Sequence, residues 1–296
     1  MIKKDKILIL GASGFIGSQV LKSFSESVDS YQVYAVEHNT KVTRYNSIEI
    51  LHGSLSDVPK FIDSIKPTII VHAARISGRN RLLGRKWASF RGGYINKKIY
   101  KKVAEHKCKL AYVSGSLMYG SHTNIKVTEN FKLNPISFAK EYLKAEFPFV
   151  ENRNRTAIMM LRPGWVFGDD SWYELFFNQV IKKFNYVPQY GEGQNCMSII
   201  HVEDLGRMIK EYALRASYTR DYNLIGPINI PHYEFVKLLS KIHNKAIRSF
   251  SKEDVIRKFG QVIYDALSSD IHLATNYIDI VETFEYDYKR VDDLFN

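Results

Sequence analysis

The chain has 296 residues, about two units at roughly 150 residues each, and 45% hydrophobic against 25% charged residues excludes a disordered polymer. Lys plus Arg total 42 against 31 Asp plus Glu, so the formal charge is +11; this permits nucleic acid, a membrane surface or a phosphorylated small molecule as partner without choosing among them. Cys108 and Cys196 alone exclude a disulfide framework or a four-cysteine zinc site.

In chain order, Lys6-Ile7-Leu8-Ile9-Leu10 is apolar on both faces, as expected of a strand covered by helices on two sides. No apolar run reaches the roughly 18 residues of a membrane span. The leading MIKKDKILILG is too short an apolar stretch for a signal peptide, so a cytoplasmic location is expected. Gly11-Ala-Ser-Gly14-Phe-Ile-Gly17 follows, and Phe15, Ile16, Val20, Leu21 and Phe24 then recur at helical spacing. The first glycine permits a tight turn and the second lets a pyrophosphate approach backbone N–H groups at the helix N-terminus. The third lets helix pack closely on strand. Between a buried strand and an amphipathic helix, this pattern points to dinucleotide binding.

Gln32–Glu37, Ile48–Leu51, Thr68–His72 and Leu110–Ser114 are further strand candidates, with helical segments between most of them. Such alternation predicts a parallel sheet wound by right-handed crossovers. Glu37 ends the second strand, where a carboxylate accepts both ribose hydroxyls of an adenosine and repels a 2′-phosphate, favouring NAD over NADP. His38, Lys41 and Arg44 follow it and offer the opposite possibility, cations that hold a 2′-phosphate.

Helices are expected over Gly93–His106, Ser137–Asn152, Trp172–Phe184, Val202–Ala216 and His232–His243, with a strand over Thr156–Leu161. No repeat or Pro/Gly/Ser linker interrupts them. The fold class read from this order is α/β: a Rossmann-like doubly wound parallel sheet over residues 1–165, with a smaller α/β C-terminal substrate lobe over residues 166–296.

Five ordered segments carry a family resemblance. They are the GASGFIG turn, Val71-His72-Ala73-Ala74, Ser114-Gly-Ser-Leu-Met-Tyr119-Gly120, Leu161-Arg-Pro-Gly-Trp-Val-Phe-Gly168 and Ile200-His201-Val-Glu-Asp204-Leu205. Through them the chain resembles the extended short-chain dehydrogenase/reductase family, in its sugar-nucleotide epimerase/dehydratase group. The resemblance implies a Tyr acting as general acid or base, aided by a Lys four residues on in the same helix. A Ser or Thr shares the proton network, and hydride passes to and from NAD. One helix face can carry both side chains at that spacing, and the ammonium stabilises a phenolate that otherwise forms near pH 10.

The chain departs from that pattern. Aligned with the family's YxxxKxxxE, Phe138 stands at the Tyr position and Tyr142 at the Lys position, and Gly115 stands at the Ser/Thr position. Phe138 carries no proton. Met197 and Trp165 replace the family's diphosphate-binding Arg and its Asn after the sixth strand. Phe90 stands at an Asn position before the fourth helix, and Ser54 at the Asp that bonds adenine.

Groups left to do chemistry are Tyr142, Ser114, Ser116 and Tyr119, the last three at the end of the fifth strand, where ligands bind such sheets. The resemblance implies cofactor contacts from Gly11, Ser13, Gly14, Phe15, Ile16, Gly17, Glu37, Ser54, Leu55, Ala73, Ala74, Arg75, Tyr142 and Pro163. Arg75, with Ser77, is suited to a diphosphate or an anionic substrate. His72 and His201 read as structural histidines, the latter capping the helix that begins near Glu203, and no cluster has metal-ligand spacing.

Three functions stay open: an NAD-dependent enzyme with a rewired acid–base set, a catalytically silent nucleotide-binding sensor or complex subunit, and non-redox chemistry on the same fold. The expected partner is a small molecule, a nucleotide sugar by resemblance, and the family's usual dimer would bury the two long helices. No nucleic-acid-binding motif is present. Lys97, Lys98, Lys101 and Lys102 lie opposite Ile95, Ile99 and Val103, so the basic surplus reads as surface chemistry.

Overall fold

The computed structural model describes residues 4–27, 30–78 and 82–295. Its strands are β1 (Asp5–Leu10), β2 (Tyr31–Glu37), β3 (Ile48–His52), β4 (Ile69–His72), β5 (Lys109–Val113), β6 (Lys126–Val127), β7 (Ile158–Pro163), β8 (Trp165–Phe167), β9 (Val187–Tyr190), β10 (Cys196–His201), β11 (Asp221–Leu224), β12 (Ile228–Pro231), β13 (Ile247–Phe250) and β14 (His272–Leu273). The helices used below are α1 (Phe15–Ser25), α2 (Val58–Ile65), α3 (Leu82–His106), α4 (Ser137–Val150), α5 (Gln179–Phe184), α6 (Val202–Arg215) and α7 (His232–His243).

Seven strands form one sheet in the order β11-β7-β5-β4-β1-β2-β3. The ladders β2–β3, β1–β2, β1–β4, β4–β5 and β5–β7 are all parallel. The doubly wound parallel sheet read from the sequence is therefore present. Strand order reverses between β1 and β4, which places the glycine turn at the switch point, beyond the carboxyl end of β1.

Successive side chains of β1 alternate between faces. Leu8 and Leu10 pack with Val58, Ile62 and Ile65 of α2 and Ile95, Ile99 and Val103 of α3, while Ile7 and Ile9 are equally buried. Each such aliphatic side chain contributes roughly 1.5–3 kcal/mol, which is why the strand reads as an unbroken apolar run. Helix α2 stops at Lys66, which takes the left-handed conformation (φ 52) directly before Pro67. Helix α1 meets α6 closely: a Cβ on Gly206 would lie 2.6 Å from the Gln19 carbonyl carbon.

The described residues divide into two compact units. One comprises Met1–Ser114, Glu141–Arg162 and Leu205–Tyr222; the other comprises Gly115–Lys140, Pro163–Asp204 and Asn223–Asn296. The expected boundary at residue 165 is a single cut, whereas each unit draws on three stretches of chain. In the second unit β10 pairs parallel with β8 and antiparallel with β12. Two short parallel pairs, β13–β9 and β14–β6, complete its strands.

Its core is aromatic, with Phe167, Phe177, Tyr190 and Phe235 buried together. The helix expected over Trp172–Phe184 is interrupted by a π-helical turn at Glu174–Asn178 before α5. Across that turn Tyr173 and Phe177 stack at 14° between ring planes, while Leu175 is left exposed. The wider turn accommodates the crowded rings Trp172, Tyr173, Phe176 and Phe177.

Candidate functional site

The glycine turn fits the geometry that a dinucleotide pyrophosphate requires. Gly11 has φ +84, and a Cβ there would lie 2.8 Å from the backbone of Ala73 and Ala74. A Cβ on Gly17 would lie 2.0 Å from the Gly11 carbonyl oxygen. Only glycine allows either approach. Gly14 caps α1 in extended conformation (φ −89, ψ 169), without a side-chain hydrogen bond, and the first turn of α1 carries no acid. The orphan N–H groups and the positive end of the helix dipole are thus left for an anion. Gly14 is exposed, with Ser13, Phe15 and Ile16 half-buried beside it. The expected contacts Gly11 to Gly17 and Ala73 to Ala74 therefore lie together.

Glu37 ends β2 as expected, and is 6% exposed. Its oxygens already have partners. Oε2 accepts the Val42 N–H at 2.7 Å, Oε1 accepts Arg44 Nη2 at 3.0 Å, and His52 Nδ1 lies 3.3 Å from Oε1. The Val42 N–H first and Arg44 after it hold the carboxyl below the usual carboxylate range. Val42, Arg44 and His52 were not legible as partners, since a loop and the neighbouring strand bring them in.

The Ser54 hydroxyl donates to Asp57 Oδ2 at 2.8 Å and accepts the Ser56 N–H at 3.2 Å, closing a capping box. Both bonds serve the start of the short helix that follows. Leu55 packs half-buried against the sheet core.

At the end of β4, His72 is buried and neutral, its imidazole pushed down to about 4 by desolvation. Nδ1 accepts the Ala74 N–H at 3.3 Å, and Nε2 faces Asn96 Oδ1 at 3.1 Å, which assigns the proton to Nε2. Asn96 Nδ2 donates to the Ala145 carbonyl at 2.7 Å. This relay ties the segment after β4 to α3 and α4, and gives His72 the structural role expected of it. Tyr142, on α4, accepts the Gly78 N–H at 3.1 Å, and the exposed Arg75 guanidinium lies 4.4 Å from the centre of its ring. Arg75 and Tyr142 are therefore brought together, as a cation stacked on an aromatic face.

Two of the other proton-carrying candidates, Ser114 and Tyr119, are engaged in structural bonds. Ser114 donates to Glu146 Oε2 at 2.6 Å and accepts from Arg162 Nη1 at 2.8 Å. Arg162 is fully buried and also reaches Glu146 Oε1 at 2.9 Å and Asp221 Oδ2 at 3.2 Å. In the second unit Tyr119, expected to face a cleft, is instead fully buried; its hydroxyl donates to Asn223 Oδ1 at 2.7 Å. The small core of Val127, Ile271 and Leu273 around it leaves no access to solvent.

Ser116 begins a short 3-10 turn and is 7% exposed. Phe138 lies one helical turn before Tyr142 on α4. Pro163, at the end of β7, is buried. Met197 is buried in β10, and Trp165 meets Trp172 edge to face at 4.8 Å. At the two positions that the family uses toward substrate, Met197 thus lies in the apolar core of the second unit and Trp165 packs half-buried against it. His201 accepts the Glu203 N–H through Nδ1, the capping role expected of it, and stacks on Tyr288. Among the described residues Asp63, Glu105 and His106 stand within metal-ligand reach of one another. Asp63 is already paired with Lys102 and His106.

Residues 7–224 match a family of known proteins described as the NAD dependent epimerase/dehydratase family. Comparison with curated protein sequences found no match. Among solved structures, dTDP-glucose 4,6-dehydratase of Bacillus anthracis, in complex with NAD, superposes with a TM-score of 0.72 at 18% identity, covering 96% of this chain and 93% of that one. UDP-N-acetylglucosamine 4-epimerase of Methanobrevibacter ruminantium, in complex with UDP-N-acetylmuramic acid, gives 0.73 at 16% identity, covering 97% and 94%. ADP-L-glycero-D-manno-heptose-6-epimerase of Helicobacter pylori gives 0.71 at 16%, covering 97% and 93%. At such identities the likeness is one of fold.

Proposed function

Because this chain belongs to the NAD dependent epimerase/dehydratase family, we propose that it binds NAD at the glycine turn and a nucleotide sugar beside it, with an atypical acid–base set. The observation that carries this reading is the turn: Gly11 and Gly17 stand where a Cβ would run into backbone, and Gly14 caps α1 with no side-chain hydrogen bond and no acid in the first turn. Gly11 to Gly17 hold the pyrophosphate by backbone N–H groups, Glu37 faces the adenosine ribose, and Ala73, Ala74 and Arg75 line the segment after β4. When bound, NAD supplies a hydride acceptor. Tyr142 is the proton-carrying group on α4, one turn from the family's Tyr position; its oxygen accepts the Gly78 N–H, which leaves its own proton to donate.

A second reading, a catalytically silent nucleotide-binding sensor or complex subunit, is favoured by a specific observation. Ser114 and Tyr119 already spend their hydroxyls inside the protein. Non-redox chemistry has no comparable observation behind it. The two readings separate when the NAD-loaded protein is incubated with a panel of nucleotide sugars, following nicotinamide absorbance and sugar product. Turnover that Tyr142→Phe abolishes supports the enzyme; binding without turnover supports the silent protein.

A homodimer belongs to the same proposal. Leu83, Trp87, Phe90 and Tyr94 recur at helical spacing on α3 and are 59% exposed or more, with Phe147 of α4 exposed as well. Such a stripe suits a second copy of α3 and α4. No helix among the described residues is long and apolar enough to cross a membrane, and a cytoplasmic location goes with the reading.

A further inference from the structure

In the second unit three aromatic rings meet near the surface: Phe184 at the end of α5, Tyr186 just before β9, and Phe250 at the end of β13. Phe184 stacks on Tyr186 at 5.9 Å and 20°, and Tyr186 meets Phe250 at 5.9 Å. Three cations stand over these rings. Lys183 Nζ lies 5.2 Å from the centre of Phe184. Lys258, in the last turn of helix α8 (Lys252–Phe259), places Nζ 5.1 Å from Phe184 and 5.5 Å from Phe250. The Arg248 guanidinium lies 5.2 Å from Tyr186 and 5.3 Å from Phe250. All three cations are exposed, and none forms an ion pair among the described residues. The stretches 182–190 and 241–250 add Lys182, Lys241 and Lys245 and contain no Asp or Glu. Acids enter only from α8, whose first turn carries Glu253 and Asp254, and Asp254 is paired with Arg257.

Lys183 and Lys258 each end a helix, where a cation suits the helix dipole. Arg248 sits on a strand and has no such reason, and like charges gathered round shared rings repel until an anion joins them. The rings are also not fully covered: Phe184 is 44% exposed, and Ile247 on β13 is 40% exposed. We propose that this face docks on an anionic membrane surface, with Lys183, Arg248 and Lys258 on the lipid phosphates and Phe184 entering the headgroup boundary. An apolar side chain ringed by Lys and Arg is the pairing that such an interface rewards. A single-stranded nucleic acid fits less well, because base stacking needs a free ring face, and these faces already hold a ring or a cation. The inference goes beyond the proposed function and does not rest on it.

Cosedimentation of the full chain with vesicles of phosphatidylcholine, alone or mixed with phosphatidylglycerol, tests this. The unaltered chain is expected to bind the anionic vesicles and not the neutral ones, and raised salt is expected to weaken binding. Arg248→Ala/Lys258→Ala is expected to weaken it at least about ten-fold, as two phosphate-facing cations are lost, and Phe184→Ser at least about three-fold. These side chains are exposed or half-exposed, so the variants are expected to fold, which circular dichroism verifies. Lys97→Ala/Lys101→Ala removes the same charge from α3 and is expected to change binding less than about two-fold. No binding of the unaltered chain to anionic vesicles overturns the proposal. So does an equal loss in the two double variants, which reports net charge alone, or a Phe184→Ser variant that binds as well as the unaltered chain. Retention on single-stranded nucleic acid with none on vesicles overturns it in favour of that partner.

Discussion

Replacing Arg162 by Met tests a buried polar assembly in the first unit. Arg162 is fully buried and donates to Ser114 Oγ (2.8 Å), Glu146 Oε1 (2.9 Å) and Asp221 Oδ2 (3.2 Å from Nη2, 3.4 Å from Nε). Met fills similar volume but supplies no donor. Glu146 would keep the Ser114 hydroxyl alone, and Asp221 would keep Arg153, whose Nε lies 3.3 Å from its other oxygen. Breaking a buried ion pair from one side costs about 3–5 kcal/mol, a large share of the roughly 5–15 kcal/mol that holds a domain together. Urea unfolding is expected to show a lowered midpoint with unchanged slope. The double variant Arg162→Met/Glu146→Gln is expected to recover part of the loss, because one stranded charge is gone. Ser114→Ala removes two charge-assisted bonds and is expected to cost about 1.5–3 kcal/mol while leaving NAD affinity unchanged. A loss below about 1 kcal/mol for Arg162→Met would refute the reasoning. So would a Ser114→Ala variant of full stability that no longer turns over a nucleotide sugar.

The remaining predictions concern acid, the turn and the helix stripe. His72 and His232 are buried and neutral, each pushed down to about 4 by desolvation. Below the free imidazole value of about 6.5 the unfolded chain takes up protons that the folded chain refuses. Their contribution is therefore complete above about pH 6.5 and is lost as pH falls toward 4, by about 3 kcal/mol each at the lower limit. Urea midpoints measured across that window should fall, and His232→Phe should flatten the fall; a flat profile for the unaltered chain would contradict the burial. Gly17→Ala, whose Cβ would meet the Gly11 oxygen at 2.0 Å, is expected to lower stability by about 3 kcal/mol through overpacking, read as an early thermal transition. Trp87→Glu with Phe90→Lys is expected to convert a dimer to a monomer by light scattering without loss of helicity, since both side chains are exposed.

The first β-strand, the glycine turn and α1 were legible because everything that defines them is local. The run Ile7–Leu10 is buried on both faces, and the three glycines meet one another and the adjacent strand end. The partners of Glu37, Ser114 and His72 were hidden for the opposite reason. The hydrogen bonds of Ser114 and Arg162 join residues 114, 146, 162 and 221, and no spacing rule connects such positions. Tyr119 was misplaced because a hydroxyl at a strand end reads as accessible, whereas its partner Asn223 lies more than a hundred residues on. Helix α3 begins at Leu82, earlier than the expected Gly93. The apolar residues Leu83, Trp87 and Phe90 face solvent, so the usual polar-outside pattern does not mark its first turns.

Whether the turn at Gly11 to Gly17 holds a dinucleotide is settled most directly by titrating NAD into the unaltered chain and into Gly14→Ala. Gly14 has φ −89, a value any residue adopts, and a Cβ there would meet only the Gly11 oxygen, at 3.2 Å. The variant should therefore fold with near-normal stability while its methyl group stands where the pyrophosphate must approach. Saturable binding of one NAD per chain, weakened at least about ten-fold by Gly14→Ala, is the expected result. No binding at millimolar NAD, or equal binding by both proteins, would contradict it.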